Sequence, residues 1–469
     1  MKIEQIYTGC LAQGAYYIQD SGEAAIIDPL REIQPYLSRA EEDGVKIKYI
    51  FETHFHADFV SGHMDLSAKT GAPIVFGPTA EPGFKAHIAK DGEVFKIGQC
   101  QIKVLHTPGH TMESSCFLLL DPQGNQVALF SGDTLFLGDV GRPDLAQKAA
   151  HLSQEALAGL LYDSLQTKIL PLSDQLMVYP AHGAGSACGK NMMKETQDTL
   201  GHQKQINYAL NQPDKESFIK AVLEGLTAPP AYFPQNVAMN KLGYKPLEQI
   251  LNEARRPLDP QEFKSQAQSG AVVILDTRTP AEFAVAHIPG ALNIGLSGDF
   301  APWVGALVGN VKQALLLVCQ AGTELEVITR LSRVGFDRVL GYLQGGLEAW
   351  KLKGFEVDSV NRISAQRMQE QLKSNETVLD VRRPSEFSAK HVDAALNTPL
   401  DRIADWLEQL KAQSEPFYIH CAGGYRSMMA ASILKAKGLH HFFEIDGGFA
   451  AISKTKIPIV EAVSNCANS

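Results

Sequence analysis

Thr53-His-Phe-His-Ala-Asp-Phe59 decides how the rest of this chain is read. It follows Lys48 to Phe51, a β-branched and aromatic run with the pattern of a buried strand. A strand tip leaves its side chains free to turn toward one point, whereas alternate positions inside a sheet all face one side of it. Two imidazoles and a carboxylate at alternate positions just past a strand end therefore open a metal site. A polar loop with two surface histidines is the plain alternative, and context must choose. That context follows in order, each time after a strand-like run: His110 in Leu105-His-Thr-Pro-Gly-His-Thr111, Asp133 in Leu129-Phe-Ser-Gly-Asp-Thr134, and His182 in Val178-Tyr-Pro-Ala-His-Gly183.

On these motifs the chain from Met1 to about Leu226 resembles the metallo-β-lactamase superfamily. The resemblance implies an αββα sandwich with metal ligands on loops at one edge. Members that hold two zinc ions, such as the glyoxalase-II-type thioester hydrolases, read His-x-His-x-Asp-His; here the last position is Phe59. Phenylalanine offers no lone pair, so a second ion would keep only Asp58, His182 and a shared Asp133. A mononuclear site is expected, and that variant resembles the persulfide dioxygenases of the superfamily. The resemblance then implies one Fe(II) per chain on His54, His110 and Asp133, the facial set with open positions for oxygen and substrate. His56, Asp58 and His182 would orient ligands or touch substrate, a purely structural hydrogen-bonding role being the alternative for each.

The chain's 469 residues exceed what one hydrophobic core serves, so about three domains are expected. With 45% hydrophobic and 20% charged residues, the composition is that of an ordinary globular protein. The net charge of −9 with both signs scattered argues against nucleic acid or an anionic membrane surface as partner. No apolar stretch approaches the roughly 20 residues that cross a bilayer. The opening Met1-Lys-Ile-Glu-Gln-Ile6 passes straight into strand pattern, so a cytoplasmic location is expected. Seven cysteines at irregular spacing (Cys10, Cys100, Cys116, Cys188, Cys319, Cys421, Cys466) form neither a disulfide framework nor a zinc pattern.

Strand-like runs alternate with helical spacing through residues 1–226, the expected first domain, with helices signalled by Ile33, Tyr36, Leu37 and Ala40 and by Leu157, Leu160, Leu161 and Leu165. Between them lies the glycine-rich Phe136-Leu-Gly-Asp-Val-Gly-Arg-Pro-Asp144. The resemblance implies that Arg142 binds the thiol-carrier substrate; pairing with Asp139 or Asp144 to fix the loop is the alternative. Cys188, just past His182, either holds sulfur near the metal or packs. Residues 227–257 are rich in chain breakers and read as a linker, with Tyr232, Phe233 and Tyr244 packing it against the first domain.

Beyond it the chain repeats itself. Ile274-Leu-Asp-Thr-Arg-Thr-Pro-Ala-Glu-Phe283 matches Val378-Leu-Asp-Val-Arg-Arg-Pro-Ser-Glu-Phe387, and His287 with Asn293 matches His391 with Asn397, at an offset of 104. These motifs resemble the rhodanese fold, over 258–355 and 363–459, which implies two α/β domains with five-stranded parallel sheets. In the second copy, Pro416 to His420 delivers Cys421 onto Cys-Ala-Gly-Gly-Tyr-Arg426 ahead of a helical pattern. Such a loop points backbone N–H groups at an anion, lowers a thiol pKa, and adds the Arg426 fork for an oxyanion. Cys421 and Arg426 are thus the expected sulfur-transfer pair. The first copy reads Cys319-Gln-Ala-Gly-Thr-Glu-Leu325, and Glu324 in place of Arg426 would repel an anionic donor, so it is expected to be degenerate.

Combined, the resemblances imply oxidation of a small-molecule persulfide with O2 to sulfite, which the cysteine loop converts to thiosulfate, in a homo-oligomer that detoxifies sulfide. The alternative is a zinc-dependent thioester hydrolase of the glyoxalase II type with accessory rhodanese domains.

Overall fold

The structure is a computed structural model that describes residues 1–147, 151–373, 376–410 and 415–461; Cys466 lies outside them. The chain forms two compact units, Met1–Ile250 with Val308–Val311 and Thr329–Asp337, and Leu251–Leu307 with Lys312–Ile328 and Arg338–Ser469.

The first unit is built on two six-stranded sheets. One runs in chain order through Lys2–Thr8, Gln13–Asp20, Glu23–Ile27, Lys46–Glu52, Ile74–Phe76 and His87–Ile88. The other runs Asp198–Thr199, Met177–Pro180, Gln126–Gly132, Ser115–Leu120, Cys100–His106, Val94–Ile97. Strand alternation sorts the core. Tyr16 and Ile18 face the second sheet, packing with Phe117, Leu119 and Phe130, while Ala15 and Tyr17 face the helices Gln34–Glu42 and His63–Thr70 through Tyr36, Ala40 and Leu66. Leu129 and Leu118, on the outer face of the second sheet, pack under Ala158 and Leu161 of Gln154–Ser164 and Phe218 of Lys215–Leu223. Each fully buried large apolar side chain contributes about 1.5–3 kcal/mol, and the three layers of contact make the αββα sandwich.

Chain direction gathers the functional ends. Glu23–Ile27 runs parallel to Lys46–Glu52, and Gln126–Gly132 parallel to Met177–Pro180. Cys100–His106 shares the latter direction because it is antiparallel to Ser115–Leu120, itself antiparallel to Gln126–Gly132. Asp28, His54, His110, Asp133 and His182 therefore all follow strand C-termini.

The stretch read as a linker is helical instead: Phe233–Leu242 and Leu247–Ala254. Its breakers sit at the ends, with proline in the first turn and Gly243 as the cap, so they bound a helix rather than prevent one. Tyr232 and Phe233 are buried.

The second unit holds two five-stranded sheets whose paired strands are all parallel, in the same spatial order: Pro257–Leu258, Val339–Leu343, Ala314–Val318, Val272–Asp276, Leu292–Asn293, then Arg362–Ser364, Phe442–Asp446, Phe417–His420, Val378–Asp380, Leu396–Asn397. The repeated motif is structural. Arg278 and Arg382 pair with Asp276 and Asp380 two residues earlier. Asn293 Nδ2 donates to the carbonyls of Asp276 and Arg278 at 3.0 and 3.1 Å, and Asn397 Nδ2 to those of Asp380 and Arg382 at 3.1 and 3.0 Å.

Candidate functional site

At the sandwich edge, His54, His110 and Asp133 converge, their nearest ligand atoms within 4.8 Å of one another and all three side chains buried. Asp133 Oδ2 lies 3.7 Å from His54 Nε2 and 3.4 Å from His110 Nε2, and among the described residues it has no hydrogen-bond partner. The loops fix both ring tautomers. His110 Nδ1 donates to the Arg142 carbonyl at 2.9 Å. Thr53 Oγ1 donates to Asp28 Oδ2 at 2.8 Å, leaving its lone pair for His54 Nδ1 at 3.0 Å. Both Nε2 lone pairs then face the orphaned carboxylate oxygen. An unpartnered buried carboxylate oxygen between two imidazole lone pairs fits a divalent ion.

Burial, then the neighbouring His56, pushes the His54 pKa down, keeping the ring neutral. For His182 burial works downward too, but Asp133 and Asp58 on either side win and raise it. Its Nδ1 bonds Asp133 Oδ1 at 2.8 Å and its Nε2 lies 2.8 Å from Asp58 Oδ2. His56, Asp58 and His182 form a second buried cluster, beside which Phe59 lies with its ring 4.3 Å from that of His56. His56 Nε2 is also 3.1 Å from Asp28 Oδ1, though neither ring nitrogen is in hydrogen-bonding geometry.

Arg142 is spent on its own loop. It grips Asp144 through Nε and Nη2 at 2.7 Å each and donates to the carbonyls of Ala187 and Thr227. Its backbone carbonyl, not its guanidinium, meets the ligand set. Cys188 is buried within reach of Asp133 and His182, and burial, with Asp58 and Asp133 adding, raises its thiol well above the usual range.

Sequence reasoning missed the groups behind the loop: Asp28 and Glu52, 3.1 and 3.6 Å from His56 Nε2; Ser61, whose Oγ donates to Glu52; His63, whose Nδ1 is 3.3 Å from Glu52; and, from the stretch read as a linker, Asn240, which donates to the His56 carbonyl. Asp28 was findable as an acidic residue at a strand end; Asn240 carried no local signal.

In the second unit, Cys421 follows Phe417–His420, and Gly424 N donates to its Sγ at 3.1 Å. Gly448 lets the loop close down: a Cβ there would stand 2.4 Å from the Cys421 carbonyl, which accepts from Phe449 N at 2.6 Å. Arg426 is held beside the loop by a bidentate pair with Glu386 at 2.6 and 2.7 Å. In the first copy, burial pushes the Cys319 thiol up to about 12, a Thr277 hydrogen bond offsets part of this, and Glu324 adds to it.

A two-sheet sandwich with a buried His/Asp cluster at the strand ends, joined to two copies of a parallel five-stranded α/β fold, defines a metal-site sandwich carrying a duplicated α/β module. The Metallo-beta-lactamase superfamily model matches residues 8–182, and the Rhodanese-like domain model matches 259–353 and 364–455. A solved structure of a metallo-beta-lactamase from Staphylococcus aureus is 31% identical with a TM-score of 0.65, the match covering 73% of this chain and 98% of that one. The chain belongs to the metallo-β-lactamase superfamily. The hydroxyacylglutathione hydrolase GloC of Haemophilus influenzae is 28% identical over 45% of this chain and 99% of its own length. A hydroxyacylglutathione hydrolase of Polaromonas is 33% identical over 39% of this chain and 66% of its own.

These relatives overturn the expectation of an iron-dependent persulfide dioxygenase, an oxidoreductase feeding thiosulfate formation. The inference from Phe59 lowered a ligand count but did not choose a chemistry, because two imidazoles and a carboxylate serve hydrolytic zinc as well as oxygen-activating iron. A metal-binding cluster stands; the oxidative function does not. Among the described residues, no helix is long and apolar enough to cross a membrane.

Proposed function

We propose that the first unit hydrolyses a thioester of a low-molecular-weight thiol at one zinc ion held by His54, His110 and Asp133, and that Cys421 performs a separate sulfur transfer. The observation that carries the hydrolase reading is the likeness to hydroxyacylglutathione hydrolases together with the orphaned Asp133 Oδ2 between two Nε2 lone pairs. Two histidines and one carboxylate with an open position is the donor set of hydrolytic zinc. Bound there, zinc would supply a Lewis acid and a water of lowered pKa. Asp58 Oδ1, buried without a hydrogen-bond partner among the described residues, is the proton acceptor for that water. His182, clamped between Asp58 and Asp133, holds both carboxylates in register. Attack on the thioester carbonyl breaks its C–S bond, releasing a carboxylic acid and the carrier thiol.

The test is thiol release from a hydroxyacyl thioester of glutathione by the zinc-loaded full chain. Asp133→Asn should lose both zinc and turnover, while Cys421→Ser keeps both. No thiol release by the zinc-loaded protein, or unchanged release by Asp133→Asn, overturns the reading.

A further inference from the structure

One residue past Arg426, the helix Tyr425–Ala436 carries a buried hydroxyl that a bare cysteine-and-arginine account leaves unused. Ser427 Oγ lies 3.5 Å from Cys421 Sγ and donates to Glu444 Oε1 at 2.6 Å. The hydroxyl is also placed to donate to Cys421 Sγ; when its single hydrogen goes to the nearer Glu444, a lone pair is left toward the thiol. Glu444, on the strand Phe442–Asp446, is fully buried, and its other oxygen takes Arg362 Nε at 2.8 Å. Arg362 Nη2 in turn binds Asp446 Oδ1 at 2.8 Å. Gly424, at φ +98°, lets the loop rest on this pair: a Cβ there would stand 3.0 Å from Arg362 Nη2 and 3.8 Å from Glu444 Oε1.

The internal repeat supplies a control. Arg362 pairs with Glu444 across the sheet as Pro257 pairs with Tyr342 in the first copy. Ser427, one past Arg426, corresponds to Leu325, one past Glu324. All three polar members occur in the copy with the glycine cradle, and all three are replaced in the copy without it. Packing alone gives no reason to bury a carboxylate there, since the first copy fills the same place with tyrosine.

We propose that Glu444 accepts the Cys421 thiol proton through Ser427, generating the thiolate that takes up a sulfur atom; this rests on Cys421 being the sulfur-transfer nucleophile. The Cys421 S–H bond breaks as Ser427 Oγ takes that proton and passes its own to Glu444 Oε1. One negative charge moves from carboxylate to sulfur, and no proton enters from solvent. The thiolate meets Gly424 N–H and the charge of Arg426. It then attacks the sulfane sulfur of a donor: the new S–S bond forms, the donor's bond to its sulfane sulfur breaks, and the leaving group departs with that electron pair. Glu444 does not touch the donor and is a positioning residue. Its surroundings suit the task. Burial raises its pKa to about 7, Arg362 and Ser427 hold it back, and Asp446 adds to the rise. Burial lowers the pKa of His420 on the neighbouring strand, and Glu386 holds the charged Arg426 in an ion pair. A base with its pKa near ambient pH is the efficient one.

The experiment follows thiocyanate formation from an arenethiosulfonate and cyanide by the full chain against pH, with Cys421→Ser as the blank, and the rate at which iodoacetamide alkylates Cys421. In the wild type both rates should rise through the carboxylate's value of about 7. Glu444→Gln and Ser427→Ala should each lose that rise and lower kcat/KM at neutral pH by roughly tenfold or more, with the donor KM little changed. A wild-type profile without that rise, or the same rise in Glu444→Gln, overturns the proposal. Should Glu444→Gln fail to fold, Ser427→Ala decides, because it keeps the Glu444–Arg362 pair. If the wild type makes no thiocyanate, the sulfur-transfer reading falls, and the alkylation profile still judges the relay.

Discussion

Replacing Asn240 by alanine should loosen the metal loop from behind. Asn240 Nδ2 donates to the carbonyls of His56 and Phe59 at 2.8 and 2.7 Å, and its Oδ1 accepts from Ser61 N at 2.9 Å. One buried side chain thus closes a ring around the stretch that carries His56, Asp58 and Phe59. Alanine leaves two carbonyls and one N–H without partners, at about 1–3 kcal/mol for each buried group. The three groups share one loop and relax together, so the total is about 3–5 kcal/mol rather than the full sum. The loop should open locally before the unit unfolds, and about 3 kcal/mol corresponds to roughly a hundredfold faster exchange of the Ser61 amide. Hydrogen–deuterium exchange with mass spectrometry reads that amide, and a chelator competition reads zinc retention, which should weaken in parallel. Asn240→Asp, which keeps the acceptor but sets a carboxylate against two carbonyls, should be no milder. Exchange within about threefold of wild type, with zinc held as tightly, would refute the account.

Phe59→His places a nitrogen beside the His56–Asp58–His182 cluster, and zinc measured by elemental analysis should rise from one toward two ions per chain in excess metal; unchanged stoichiometry would sink the packing explanation for a single ion. With its thiol pushed up to about 12, Cys319 is roughly one part in ten thousand thiolate at pH 8. Alkylation at that pH should therefore spare it, and Cys319→Ser should keep sulfur transfer that Cys421→Ser loses. Glu444 sits at about 7 in the folded chain against an ordinary 4.5, so the folded state binds the extra proton. Its contribution to stability, about 3 kcal/mol, is complete below the unfolded value and lost as pH rises through the folded one. Denaturant midpoints of Glu444→Gln should vary less than wild type between those two pH values, and an equal slope counts against the assignment.

The fold was legible wherever hydrophobic period and register agreed. The continuous apolar runs inside Gln13–Asp20 and Lys46–Glu52, and the duplicated Asp-x-Arg and Asn motifs, each mark a geometry that local residues impose. His110 and Asp133 meet because Cys100–His106 and Gln126–Gly132 run the same way on either side of antiparallel Ser115–Leu120, and His54 joins them from the end of Lys46–Glu52 in the other sheet. Helix Phe233–Leu242 was not legible, because its proline and Phe233 lie in the first turn and the polar Asn236 and Asn240 are the positions buried beyond it, inverting the usual pattern. Arg142 was legible only as a choice between substrate and a loop carboxylate: sequence shows that a charge exists, and the structure shows it paired with Asp144 and bonded to two backbone carbonyls.

Chemistry was the least legible layer, and Phe59 shows why. Its ring lies 4.3 Å from that of His56 and 6.3 Å from that of His182, so it fills in packing what a histidine at that position would fill in coordination. His56 then has Asp28 as a near neighbour, and His182 is occupied by two carboxylates. Removing one ligand thus turns a pair of potential metal partners into a buried charge network, which still orients Asp133. On the proposed reading the substitution limits the edge to one ion, held by the two imidazoles and one carboxylate of His54, His110 and Asp133. Which reaction those three support is set by what binds next to them, and no residue between Thr53 and Phe59 encodes that.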